Sequence, residues 1–84
     1  MVSYLLLCRS LTYAQRTVHV LEQADIKCNA KRTPRNLSHD GCGYCVVLNC
    51  HSINYALERL REENLYPKQI YERRSDGSYR EVAL

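Results

Sequence analysis

The chain has 84 residues, 45% of them hydrophobic and 25% charged, which fits one globular domain around a modest core and excludes a disordered chain. A net charge of +3 suits an anionic partner but falls short of the dense basic face of a dedicated nucleic-acid binder, and no apolar stretch reaches the length of a membrane span. Seven tyrosines with no tryptophan or phenylalanine leave a core of Leu, Val, Ile and Ala, too shallow for a large enclosed cavity.

The first element is a strand, Ser3 to Arg9, short and apolar on both faces and therefore central in a sheet. The segment from Met1 to Arg9 lacks a basic start and a small-residue cleavage site, so it reads as a buried strand and not as a signal peptide. The expectation is a cytoplasmic protein whose thiols are kept reduced, and five cysteines, an odd number, argue against a closed disulfide framework.

A helix follows. Thr12 and Gln15 have capping-box spacing and Ser10 is an alternative N-cap; Ala14, Val18 and Leu21 form a buried stripe at i, i+4, i+7, to about Ala24. Ile26 to Arg32 reads as a second strand with Ile26, Cys28 and Ala30 on one face, ended by Pro34, which biases Thr33 to extended geometry. Thr33 to Gly43 is a long irregular loop rich in turn formers. Tyr44 to Cys50 is the third strand. Ser52 caps a second helix with Ile53, Ala56, Leu57 and Leu60 as its stripe and Asn64 near its end, Lys68 to Arg73 is a fourth strand, and Asp76-Gly77 is a turn after which Tyr79 to Val82 pairs as a short fifth strand or frays.

The order β-α-β-β-α-β predicts an α+β fold of ferredoxin-like, split βαβ type: a four-stranded antiparallel sheet in the order 4-1-3-2 with both helices on one face. The chain reads as one domain, residues 1–84, with a core over 3–73 and a C-terminal hairpin or tail over 74–84. Open sheet edges are compatible with a homodimer.

This topology gathers chemistry at one end. Strand one ends there at Arg9, helix one begins there with unpaired N–H groups and its positive dipole end, and the loop between strands two and three lies there too. That edge collects Arg9, Ser10, Thr12, Arg16, Arg32, Arg35, His39 and Cys42. Helix N-termini and nearby cations stabilise a thiolate, and Gly41 and Gly43 free the backbone around Cys42 to approach closely or take positive φ. The same edge suits an oxyanion. Two glycines beside a cysteine also make a plain tight turn into a strand.

The segments Leu5-Leu6-Leu7-Cys8-Arg9-Ser10-Leu11-Thr12-Tyr13-Ala14-Gln15-Arg16, Arg32-Thr33-Pro34-Arg35-Asn36-Leu37-Ser38 and Gly41-Cys42-Gly43-Tyr44 resemble the small bacterial family of selenium/sulfur carrier-like proteins, a DUF3343-type domain. The resemblance extends over nearly the whole chain to about Tyr71. It implies a ferredoxin-like domain whose loop cysteine, Cys42, carries a persulfide or selenide. Its partners would be a cysteine desulfurase- or selenocysteine lyase-like donor and a sulfur- or selenium-using acceptor protein. Where the family pattern leads one to expect a small residue such as Ser or Ala, this chain has Cys45, and Cys8, Cys28 and Cys50 look peculiar to it.

Other readings compete on the residues themselves. Cys42-Gly43-Tyr44-Cys45 is a C-x-x-C, but it precedes a strand instead of opening a helix, unlike a thioredoxin motif; Cys45 remains a candidate resolving thiol. A structural zinc site needs four ligands, and neither a second C-x-x-C nor a His pair joins these two cysteines and His39. Cys28 and Cys50 read as small buried hydrophobes. His39 is a candidate general base beside Cys42, against which stands the reading of a solvated loop residue, since no orienting third group is evident. RNA-recognition domains share the topology, but Val46, Val47 and Leu48 do not fit their aromatic strand signature.

The reading is therefore a small sulfur or selenium carrier without metal or cofactor, not an enzyme by itself, with turnover left to its partners. Cys42 is the attachment point, and Arg9, Ser10, Thr12, Arg16, Arg32, Thr33, Gly41 and Gly43 shape and polarise the site. The alternative is a non-catalytic regulatory or interaction module that binds a small anion or a protein partner at the same basic edge.

Overall fold

The computed structural model describes residues 2–37, 43–50 and 53–82. The elements are β1 (Val2–Cys8), α1 (Leu11–Gln23), β2 (Cys28–Arg32), a single 3-10 turn (Arg35–Leu37), β3 (Tyr44–Cys50), α2 (Ile53–Glu62), β4 (Gln69–Arg73) and β5 (Tyr79–Glu81). The result is an α+β architecture with two helices and a five-stranded sheet in the order β2-β3-β1-β4-β5, antiparallel at every junction. To the four strands the tail adds a fifth beyond β4, the paired one of the two alternatives for Tyr79 to Val82.

That addition has a local cause. Gly77 takes φ 89°, a left-handed conformation that closes the turn, and the Asp76 carboxylate accepts from both the Ser78 N–H (2.9 Å) and its hydroxyl (2.6 Å). These hydrogen bonds, the side-chain one first, hold the Asp76 pKa below its ordinary value. Arg80 then reaches Glu72 across the strand pair at 3.4 Å.

Both helices end by the same device. After α1, the Asp25 N–H donates to the Glu22 carbonyl (3.0 Å) and the Ile26 N–H to the Leu21 carbonyl (2.9 Å), with Asp25 at φ 62°. After α2, the Asn64 N–H donates to Arg61 (3.2 Å) and the Leu65 N–H to Leu60 (2.9 Å), with Asn64 at φ 57°. These are two Schellman closures, each followed by an apolar residue that folds back on the core. The first one consumes Ile26, so β2 starts at Cys28 and not at Ile26. At its other end α1 is capped by Ser10, in extended conformation (φ −158°, ψ 170°), whose hydroxyl accepts from the Tyr13 N–H at 3.3 Å; Thr12 is the second residue of the helix.

Side-chain alternation divides the sheet. Tyr4, Leu6 and Cys8 of β1, Val46 and Leu48 of β3, and Ile70 of β4 meet Ala14, Val20 and Leu21 of α1 and Ala56, Leu57 and Leu60 of α2, so both helices cover one face. Leu5, Leu7, Cys45 and Tyr71 form a second cluster on the other face with Leu37 from the 3-10 turn. Strand β1 is therefore buried on both sides, with Leu5, Leu6 and Leu7 at most 1% exposed. Each such leucine contributes about 1.5–3 kcal/mol by burial.

Candidate functional site

One rung of the sheet sets the geometry of the end described above. Cys8 of β1 faces Tyr44 of β3, and Tyr44 faces Arg32 of β2. The exposed Arg32 guanidinium lies over the Tyr44 ring, 5.5 Å from its centroid. One residue further on, the Thr33 N–H donates to the Gly43 carbonyl at 3.0 Å, which fastens together the two ends of the loop that carries Gly41 and Cys42. Gly41, Cys42, His39 and the Asp40 beside it lie outside the described residues.

Gly43 itself departs from expectation. It is not in the left-handed region, and a Cβ built on it meets nothing within 4 Å. The structure thus gives no conformational reason for glycine at this position; open space is what it provides.

Thr33 is buried, 9% exposed, and its hydroxyl oxygen has no hydrogen-bond partner among the described residues. A buried hydroxyl without a partner carries a desolvation cost. Ser10, by contrast, spends its hydroxyl on capping α1.

The basic residues do not share one cavity. Arg9 is exposed, with its guanidinium 5.9 Å from the Tyr13 ring centroid, and lines a cavity with Tyr13, Arg61, Asn64 and Tyr66. Thr12 and Arg16 lie on the outer side of α1 in a separate depression of about 330 Å³ bounded by His19, Glu63 and Leu65. Arg32 stands apart on the edge strand β2. Tyr13, Arg61, Asn64 and Tyr66 escaped the sequence reading, because only the return of α2 to the start of α1 brings them to Arg9.

The cysteines fall into distinct environments. Cys45 has no solvent exposure; alternation turns it onto the second face, among Leu5, Leu7, Leu37 and Tyr71, with its sulfur 4.0 Å from the Arg32 carbonyl. Exchange with a partner's sulfur at Cys45 would require this packing to open. Cys8 is buried beneath the helices, its Sγ 3.5 Å from the Leu6 carbonyl. Cys28 donates to the Val18 carbonyl at 3.8 Å, and burial, reinforced by Glu22, pushes its thiol pKa up to about 11. Cys28 is thus a thiol and not a thiolate at neutral pH. Among the described residues no three His, Cys, Asp or Glu side chains gather to hold a metal ion.

A family model described as "Putative Se/S carrier protein-like" matches residues 3–72. No curated protein matches the chain. No solved structure matches it either.

Proposed function

Because the chain belongs to the Se/S carrier-like family, we propose that it is a small sulfur or selenium carrier that holds a persulfide or selenide on Cys42. The family match carries this reading, since residues 3–72 span both the Arg32-Thr33-Pro34 and the Gly41-Cys42-Gly43 segments. Three features of the edge around Gly43 support it. The Thr33–Gly43 hydrogen bond fixes the chain beside Cys42. The first turn of α1 holds no acidic residue, so its positive end is not neutralised from within the helix. Arg9 and Arg32 are exposed there and add positive potential that favours an anionic sulfur.

In this reading Thr33 and, through its cap of α1, Ser10 shape and polarise the surroundings, Gly41 and Gly43 leave Cys42 accessible, and Thr12 and Arg16 belong to the separate depression on α1. The frame is a ferredoxin-like split βαβ unit extended by β5. The donor is a cysteine desulfurase- or selenocysteine lyase-like protein. The Cys42 thiolate attacks the outer sulfur of the donor's persulfide, the donor S–S bond breaks, and the donor thiolate leaves. A nucleophile on the acceptor protein repeats the displacement and releases the Cys42 thiolate. No net oxidation occurs, so no metal or cofactor is required and turnover belongs to the partners. The setting is the cytoplasm; among the described residues no helix is long and apolar enough to cross a membrane. A homodimer would form through an open edge strand, β2 or β5.

Intact mass spectrometry tests the assignment. The protein is incubated with a cysteine desulfurase and cysteine, alongside Cys42→Ser and Cys45→Ser. A reductant-sensitive sulfur adduct is expected on the wild type and on Cys45→Ser and not on Cys42→Ser. An adduct that needs Cys45 would make the C-x-x-C a dithiol pair, and no adduct on any form would remove the carrier reading.

A further inference from the structure

The β1–α1 and α2–β4 junctions meet at the same end of the molecule. The Lys68 N–H donates to the Leu7 carbonyl at 2.9 Å, which holds the segment leading into β4 against the end of β1. Between the two junctions opens a cavity of about 340 Å³ lined by Arg9, Tyr13, Arg61, Asn64 and Tyr66.

Its walls are ordered. Arg9 lies over Tyr13, and the Arg61 guanidinium sits 4.9 Å from the Tyr66 ring centroid while its Nη2 donates to the Tyr66 hydroxyl at 3.3 Å. Cation–π contact holds each fork in place at the cavity rim, which reduces the ordering cost of a bidentate interaction. Because the Tyr66 oxygen accepts from Arg61, its own O–H is left to donate. Asn64 is fixed in the left-handed position that closes α2, and its amide adds another donor type to the lining.

The charge balance is one-sided. Arg59 and Arg80 are paired with Glu62 and Glu72, but among the described residues neither Arg9 nor Arg61 has an ion pair, and no carboxylate lines the cavity. Two guanidiniums around one cavity repel each other unless an anion lies between them. A single carboxylate satisfies one guanidinium fork; a phosphate, with more charge and oxygens in three directions, can engage both. The volume suits a small molecule.

We propose that this cavity is a binding site for a small phosphate-bearing molecule, whose phosphoryl oxygens are held by Arg9 and Arg61 with Tyr66 and Asn64 as further donors. The site uses no cysteine and shares only Arg9 with the carrier reading.

The test is an NMR titration of the full chain with inorganic pyrophosphate, and with acetate as the carboxylate probe. Saturable shifts are expected at the amides of Arg9, Tyr13, Asn64 and Tyr66, with weaker binding of acetate. Both arginines are exposed, so their replacement leaves the core alone. Arg9→Gln and Arg61→Gln should each weaken pyrophosphate binding about tenfold or more, the effect of one lost charge-assisted contact, while Arg74→Gln, beyond the far end of β4, should not. Cys42→Ser should bind as the wild type does, which separates this outcome from sulfur loading. Shifts that do not saturate, equal loss in Arg74→Gln, or undiminished binding by a folded Arg61→Gln would overturn the proposal.

Discussion

The Thr33 amide and the Gly43 carbonyl meet at 3.0 Å, one residue beyond the last paired rung of β2 and β3. The contact extends the ladder to the point where Cys42 begins, so any change in the position of Gly43 is opposed by the sheet itself. The Thr33 side chain adds a second element. Its hydroxyl is buried beside this junction without a partner among the described residues.

Thr33→Val separates two meanings of that hydroxyl. Removing a buried, unpartnered polar group of the same shape should leave stability unchanged or raise it by up to about 1 kcal/mol. A hydroxyl left free to donate to the anionic sulfur of Cys42 should in addition make loading in the desulfurase assay about tenfold slower when it is removed, the size of one hydrogen bond to a charged group. We expect both results together; a variant that is less stable and loads normally would make Thr33 a packing residue.

Cys28 gives a pH prediction. Its folded pKa stands at about 11 against an ordinary 9.0. A raised folded pKa means that the neutral thiol's contribution to stability is fully present below the ordinary value and is lost as pH rises through about 11. Alkylation followed by peptide mapping should leave Cys28 unmodified at neutral pH, with labelling that climbs only near the raised value. Cys42 should be the residue labelled first. Rapid labelling of Cys28 at neutral pH would contradict its partial burial and the contact of its sulfur with the Val18 carbonyl.

Thr17 is 1% exposed on α1, and its hydroxyl also has no partner among the described residues. Thr17→Val should therefore stabilise the protein by about 1 kcal/mol, read as a higher urea midpoint at unchanged slope. Loss of stability would show that the hydroxyl is satisfied in solution.

Asp25 occupies the left-handed position of the first Schellman closure. Asp25→Gly should raise stability by about 0.5–1 kcal/mol, and Asp25→Val should lower it by a similar or larger amount, because only the former removes the Cβ strain. Equal effects in chemical denaturation would contradict the closure.

Most of the elements were legible because periodicity and burial agree along them. Tyr44 to Cys50 is the strand its composition indicates, and Ala14 and Leu21 are wholly buried where the helical stripe places them. Ile26, Cys28 and Ala30 do pack on one side, although Ile26 belongs to the closure of α1 and not to β2. An aspartate in the left-handed region is a weak sequence signal compared with glycine, which is why that boundary moved. Ser10 and Thr12 offered two caps, and only the extended backbone of Ser10 decides between them. The basic residues appeared as one group because the sequence locates them at one end; it does not reveal that Arg9 turns toward Arg61 while Arg16 turns toward Glu63. That division depends on where α2 returns, and α2 is far along the chain.

The two-sided burial of β1 gives the cavity walls unequal stiffness. Its amides, paired to β3 on one side and β4 on the other, belong to the part of the molecule that opens only with global unfolding and should be among the slowest to exchange with solvent. Arg9 is one residue beyond that strand and so starts from a fixed origin. Arg61, Asn64 and Tyr66 ride instead on the end of a surface helix and its exit turn. Amides of this exit turn should exchange with solvent sooner than those of β1.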